Sequence, residues 1–190
     1  TSFSYCSQPY KIKYGKVIKR LNNFTPLNFS NFFCVGKTSF LKLDEKNYFS
    51  FHLGMTGKWS SEKEKHTHFS IQTSDKSIIY FTDPRRFGNI KLIKSHDLKN
   101  NYFIYGDLLN NDTSIKEYSN YLIKNLNSSQ EVCKILLNQK YFCGVGNYLK
   151  SEILYKSKIH PHRKWCDLNE KDILNICKFT RSTMIASYKS

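Results

Sequence analysis

Asp83-Pro84-Arg85-Arg86-Phe87-Gly88 puts two guanidinium groups and a phenyl ring on one short turn. Arginine pairs bidentately with phosphate oxygens, and an aromatic ring can wedge between bases or stack on them. The chemistry on offer is therefore recognition of a nucleic-acid backbone beside an apolar probe. A purely structural reading stands next to it, in which Asp83 pairs internally with an arginine and Phe87 is core. Upstream, His52-Leu53-Gly54-Met55-Thr56-Gly57 holds Met55 between two glycines. There its flexible thioether either fills a gap beneath the turn or projects from it. Lys65-His66-Thr67-His68 carries two histidines two positions apart with no third ligand type beside them, a poor metal site. His66 is expected to hydrogen-bond or to meet a phosphate. Lys37, after Gly36, starts a strand, where a lysine is ordinarily solvated.

Cys143-Gly144-Val145-Gly146-Asn147-Tyr148 is a glycine-opened turn between two segments of helical periodicity. Gly144 and Gly146 can take positive φ, and the helix that follows supplies unpaired N–H groups and a positive dipole end suited to an anion. Asn147 serves as N-cap or donates its amide to a phosphate oxygen. The alternative is an ordinary corner between helices. A dinucleotide fingerprint is argued against by the helix, rather than strand, that precedes it.

These groups need elements to hold them. Up to about residue 105 the pattern is mostly strand-like, with Leu41 and Leu43, Phe49 and Phe51, Phe69 and Ile71, and Ile90 and Leu92 in alternation. Ser77–Phe81 reads as a more fully buried strand. Such short strands between polar turns predict an antiparallel sandwich. Asn100 to Asp112, rich in Asn, Asp and Gly, reads as a boundary, and from Ser114 the periodicity is helical. Val132, Ile135 and Leu136 share one helix face; Leu149, Ile153 and Leu154 share another, in a helix that stops at Ile159-His160-Pro161. The last helix opens with Asn169 as cap, Asp172 in its first turn and Leu168 packed on Ile173, and buries Ile173, Ile176, Cys177, Thr180 and Met184.

Thirty Lys+Arg against fifteen Asp+Glu give a net charge of +15 on 190 residues, which points to a polyanionic partner, nucleic acid first. Fourteen Phe and thirteen Tyr supply enough apolar mass for a real core, so disorder is not expected. No apolar run approaches the roughly 18 residues that a bilayer span needs, and the chain is expected to be soluble and intracellular. The six cysteines are irregularly spaced without a Cys-x-x-Cys pair, so the sequence suggests neither a zinc site nor a disulfide framework.

In this order, Gly36-Lys37, His52 to Gly57, Lys65 to His68, Asp83 to Gly88, and Gly144 to Asn147 continuing through Ser151-Glu152-Ile153-Leu154 to His160-Pro161 resemble the formamidopyrimidine-DNA glycosylase and endonuclease VIII family of base-excision-repair enzymes. The resemblance implies an α+β chain: an N-terminal antiparallel β-sandwich over residues 1–108 and a helix-two-turn-helix domain over 113–190, with DNA gripped between them. It implies that Met55, Arg85 and Phe87 fill the gap left by a flipped-out nucleotide. Arg86, Asn147 and Gly146 would hold the flanking phosphates, and His66 would contact the DNA backbone. Family members attack the sugar C1′ with an N-terminal proline amine, form a Schiff base and cleave by elimination; Lys37 matches the lysine that contributes near the abasic sugar.

There are departures. The chain starts at Thr1 without Pro-Glu, and the stretch before Lys37 reads as too short to hold the family's first helix as well as its first strands. The C-terminal zinc finger does not follow, so no metal or cofactor is expected. Lysines expected near Ser128, Ser129 and Cys133 are missing, with Lys124 and Lys134 close enough to substitute, Lys134 as a DNA contact. The expectation is a glycosylase and abasic-site lyase core without its nucleophile, acting as a monomer on duplex DNA that carries oxidised bases or abasic sites. A catalytically inactive damaged-DNA-binding protein is the alternative, and an RNA-binding or ribosomal protein a more distant one.

Overall fold

The computed structural model describes residues 2–25, 32–102, 107–109 and 114–189. Thr1 and most of the Asn100–Asp112 boundary lie outside them. Contacts divide the chain into Thr1–Leu98 and Lys99–Ser190.

The first unit contains two four-stranded antiparallel sheets. One has the order β1 (Ser2–Tyr5), β6 (Thr67–Gln72), β7 (Ile78–Thr82), β5 (Lys58–Ser60); the other β2 (Phe32–Val35), β3 (Thr38–Lys42), β4 (Asn47–His52), β8 (Asn89–Lys94). Alternating residues from both sheets meet in one core, including Leu41, Phe49, Phe51, Phe69, Ile71, Phe81 and Ile90. The Ser77–Phe81 run is less buried than its composition suggests: Ile78 is exposed and Ile79 half-buried. Strand β5 reaches only as far as Tyr80, its partner at Ser60, so among the described residues Ile78 and Ile79 have a neighbouring strand on one side only.

A helix stands where the sequence reading placed none. The stretch before Lys37 holds β1, α1 (Gln8–Leu21) and β2. Tyr10, Tyr14, Ile18 and Leu21 recur at helical spacing and all are buried, while the lysines between them stay on the other face. Ser7 is the extended N-cap and Pro9 lies in the first turn, where it costs no backbone bond. At the far end Asn22 accepts the Phe3 N–H at 2.7 Å and donates to the Phe3 carbonyl at 2.9 Å, which ties the helix to β1. Apolar side chains recurring every three or four residues drove this helix, and the surrounding polar alternation hid it.

The division falls inside α2 (Ser95–Tyr102), earlier than a domain over 1–108 would put it. Leu108 packs in the core of the second unit. That unit is helical: α3 (Ile115–Asn125), α4 (Val132–Leu137), α5 (Asn147–Ser157) and α6 (Glu170–Lys189). Val132, Ile135 and Leu136 are buried together with Ile153, Leu154, Trp165, Ile173, Ile176 and Cys177. Burial pushes the Cys177 thiol up to about 12, so it behaves as an inert apolar filler. Helix α6 opens on a reciprocal capping box. The Asp172 N–H donates to Asn169 Oδ1 at 2.8 Å, and the Asn169 N–H to Asp172 Oδ2 at 3.3 Å. Its buried face includes the residues read from the sequence, Ile173, Ile176, Cys177, Thr180 and Met184.

Candidate nucleic-acid interface

The site in the first unit is organised by Asp83, which follows β7 and is completely buried. Its Oδ2 accepts the Gly88 N–H at 2.6 Å and the Tyr10 hydroxyl at 3.4 Å, and its Oδ1 accepts the Thr56 hydroxyl at 3.1 Å. One carboxylate therefore closes the Asp83–Gly88 turn, fastens it to α1 and fastens it to the Met55 turn. The Asp83–arginine pair that the sequence left open is replaced by these bonds to one N–H and two hydroxyls. Burial, and then the Asp83 charge, hold the Tyr10 phenol far above its ordinary value, so it remains a donor.

The backbone on either side is equally engaged. The buried His68 has its Nε2 2.8 Å from the Asp83 carbonyl. A carbonyl can only accept, so in the neutral ring the proton sits on Nε2. The Ser7 hydroxyl then donates to Nδ1 at 2.8 Å. The Tyr10 ring lies flat on this imidazole, with centroids 4.2 Å apart. Of the two histidines in the 65–68 motif, His68 is thus a structural strut. His66 is exposed on the adjoining turn at φ 70° and lines an open depression with Arg86, Pro84, Ser7 and Pro9.

Two glycines bring the turns together. Gly54, at φ 69°, packs so closely on the other turn that an added Cβ would stand 2.8 Å from the Phe87 carbonyl carbon. At Gly88 an added Cβ would stand 2.8 Å from the Phe81 ring and 2.9 Å from Asp83 Oδ2. The consequence appears on the surface. Met55 is 75% exposed and Phe87 55% exposed, so neither is core. Arg85 joins them, its Nη1 3.7 Å from the Met55 sulfur and its Cζ 4.7 Å from the Phe87 ring centroid. Two apolar side chains and a cation stacked on one of them stand on a base whose polar groups are satisfied below. Arg86 is exposed on the same turn at φ 57°.

Lys37 occupies the two-residue hairpin between β2 and β3, after Gly36 at φ 56°, and is exposed beside the strand end. The neighbouring strand ends at His52, paired with Thr38. His52 Nδ1 accepts the Gly54 N–H at 2.9 Å. Burial, with the Lys37 cation nearby, holds this imidazole below its ordinary value. His52 therefore sits neutral between the lysine and the Met55 turn.

The second unit presents its own site at the 143–147 turn. Gly144 has φ 87°, as its position suggested, whereas Gly146 sits at φ −117°, extended backbone open to any residue. Gly146, not Asn147, is the N-cap; Asn147 is the first helical residue, exposed, with Oδ1 accepting from Lys150 Nζ at 3.1 Å. The turn is stapled by Gln139, which accepts the Gly144 N–H at 3.0 Å and donates to the Val145 carbonyl at 2.9 Å. The Gly144 N–H is thereby used internally, and the N–H groups an anion can reach are those of the first turn of α5. Lys134 projects from α4, with Nζ 2.8 Å from Glu131 Oε2.

Sequence reasoning missed the organisers: Tyr10, Ser7 and His68 around Asp83, and Gln139 beneath the second turn. Asp83 opening a turn closed by Gly88 was the one local signal in the first unit; its other partners act across long separations. Among the described residues no helix is long and apolar enough to cross a membrane.

Two family models match the chain: the formamidopyrimidine-DNA glycosylase N-terminal domain over residues 16–90 and the formamidopyrimidine-DNA glycosylase H2TH domain over residues 108–189. The formamidopyrimidine-DNA glycosylase of Zymomonas mobilis subsp. mobilis is 39% identical over 140 residues, covering 70% of this chain and 50% of that protein. That of Rickettsia massiliae is 29% identical over 161 residues, covering 78% and 55%. The chain thus spans about half the length of these relatives. Among solved structures, MutM in complex with carbocyclic 8-oxo-G containing DNA superposes with a TM-score of 0.76 at 22% identity, covering 99% of this chain and 72% of that one. The Lactococcus lactis glycosylase bound non-covalently to DNA containing an AP site gives 0.75 at 21%, covering 99% and 73%. These two structures bear on the fold.

Proposed function

Because this chain belongs to the formamidopyrimidine-DNA glycosylase family, carrying both its N-terminal and its H2TH domain, we propose that it is the DNA-recognising core of a base-excision-repair glycosylase with abasic-site lyase activity. Its partner is duplex DNA with an oxidised base or an abasic site, met wherever the genome is kept. The observation that carries this reading is the Met55–Arg85–Phe87 cluster, apolar and exposed on two turns that are locked from beneath. An apolar patch of that kind gains nothing in water and much in a gap between unstacked bases. Met55 and Phe87 fill the space an extruded nucleotide leaves, and Arg85 supports the orphaned base opposite.

In the first unit Arg86 and His66 hold DNA phosphates; in the second, Asn147 with the first-turn N–H groups of α5, joined by Gly146 and Lys134, holds phosphates as well. Lys37, on its hairpin, brings an amine to the abasic sugar, where a cation faces phosphate and a proton can be moved during elimination. The net charge of +15 supplies the sequence-independent attraction.

Fluorescence anisotropy with duplexes carrying one abasic-site analogue, or none, tests recognition. Phe87→Ala, through lost stacking, and Met55→Ala, through lost apolar contact, should each weaken binding to the abasic duplex by about 5- to 150-fold, corresponding to ~1–3 kcal/mol, and leave binding to intact duplex almost unchanged. Borohydride trapping on a natural abasic duplex reads the amine chemistry separately. Equal affinity for both duplexes, untouched by either substitution, would remove the wedge assignment.

A further inference from the structure

The second unit brings together three chemically different metal-ligating groups from two separated segments. Glu131, Cys133 and His162 each offer a ligand atom, all within 4.8 Å of one another. His162 Nδ1 is 2.7 Å from Glu131 Oε1, and Cys133 Sγ is 4.0 Å from Glu131 Oε2. Glu131 and Cys133 are half-buried, and His162 is exposed. The two segments are clamped by their backbones: Val132 N–H donates to the Arg163 carbonyl at 2.9 Å, Cys133 N–H to the Pro161 carbonyl at 3.1 Å, and Trp165 N–H to the Gln130 carbonyl at 2.9 Å. The convergence of side chains is therefore set by main-chain pairing, not by chance approach of mobile surface groups.

We propose that Glu131, Cys133 and His162 form a zinc-binding site that fastens the start of α4 to the His160–Lys164 turn. A thiolate, an imidazole and a carboxylate are the donor types that a four-coordinate zinc ion takes. Metal–ligand lengths of ~2.0–2.3 Å place tetrahedral donors roughly 3.2–3.8 Å apart, so the present spacings need only small side-chain adjustments. Glu131 binds through Oε1 and keeps Oε2 on Lys134 Nζ, 2.8 Å away. That contact orients the carboxylate as outer partners of metal ligands do. Water completes the fourth position. On binding, the Cys133 thiol gives its proton to solvent, and His162 gives up the Nδ1 proton it donates to the Glu131 carboxylate without metal, which frees the Nδ1 lone pair for zinc; the site forms with proton release and without any redox change. The sequence showed no Cys-x-x-Cys pair, and this set needs none, because its two segments are joined by folding.

Cobalt(II) is the probe, since a cobalt–thiolate bond gives a charge-transfer band in the near ultraviolet. The full chain, stripped with chelator and carrying serine at the exposed Cys34 and Cys166, is titrated with cobalt and then with zinc. The expected result is one saturable equivalent with that band, displaced by zinc. Cys133→Ser abolishes the band and His162→Ala weakens uptake at least tenfold, and zinc raises the unfolding temperature of the parent but not of Cys133→Ser. Circular dichroism verifies that each variant is folded, and Cys133→Ala replaces Cys133→Ser if the serine is not tolerated. Absence of saturable uptake, or a band that survives loss of the Cys133 thiol, overturns the proposal.

Discussion

Replacing Asp83 with alanine should cost the first unit about 1.5–4 kcal/mol, although Asp83 lies on a turn and its hydrogen bonds go to neutral groups. The magnitude follows from what the carboxylate holds. The Gly88 N–H, bonded at 2.6 Å in a buried position, would be left without a partner, which costs about 1–3 kcal/mol. The Tyr10 hydroxyl, at a longer 3.4 Å, adds about 0.5–1 kcal/mol. The Thr56 hydroxyl at 3.1 Å can turn to water and adds little. Asparagine keeps one oxygen for Gly88 and can donate to the Thr56 hydroxyl, so Asp83→Asn should lose less than half as much, mainly the charge assistance. Urea unfolding of fluorotryptophan-labelled protein by fluorine NMR measures this locally, because the two tryptophans fall one in each unit, Trp59 in the first and Trp165 in the second. The Trp59 transition should move and the Trp165 transition should not. An alanine variant within about 1 kcal/mol of the parent would refute the reasoning, since that is less than one unsatisfied buried group costs. So would an asparagine variant as unstable as alanine, since charge rather than hydrogen bonding would then be what matters.

Three further outcomes are expected. Gln139→Ala frees the Gly144 N–H and the Val145 carbonyl and should destabilise the second unit by ~1–2 kcal/mol, with faster amide exchange at residues 144–146. His52 is held below the ordinary histidine value, so as pH falls the unfolded chain takes up its proton first; stability from this group is fully present above about pH 6.5 and is lost as pH falls toward the lower folded value. The parent should therefore lose more stability between about pH 7 and pH 5 than His52→Asn does, by urea midpoints of the Trp59 transition; parallel profiles would exclude His52 as the source. Asn169→Ala removes half of the capping box and should cost about 1 kcal/mol, read as a lower unfolding midpoint of the Trp165 transition with α6 shortened at its start.

Features that depend on neighbours along the chain were legible without a structure. Alternation in β3, β4, β6 and β8 marked their inward faces, and helical spacing marked the buried faces of α4, α5 and α6, down to Ile173, Ile176, Cys177, Thr180 and Met184, because both periods are properties of the backbone. The cap at Asn169 was legible for the same reason. Motif order was enough to select the family. Helix α1 was not read, since its evidence, four apolar side chains at helical spacing among lysines and a glycine, competes with strand-forming tyrosines and isoleucines until a sheet is there to pack on. Folding settled the rest: Met55 and Phe87 face solvent with Arg85 between them, Asp83 bonds Gly88, Thr56 and Tyr10 rather than an arginine, Gly146 rather than Asn147 caps α5, and Glu131, Cys133 and His162 meet. Most of these results come from groups brought together across long stretches of chain, where the burial of one polar atom requires a partner that spacing along the sequence cannot supply.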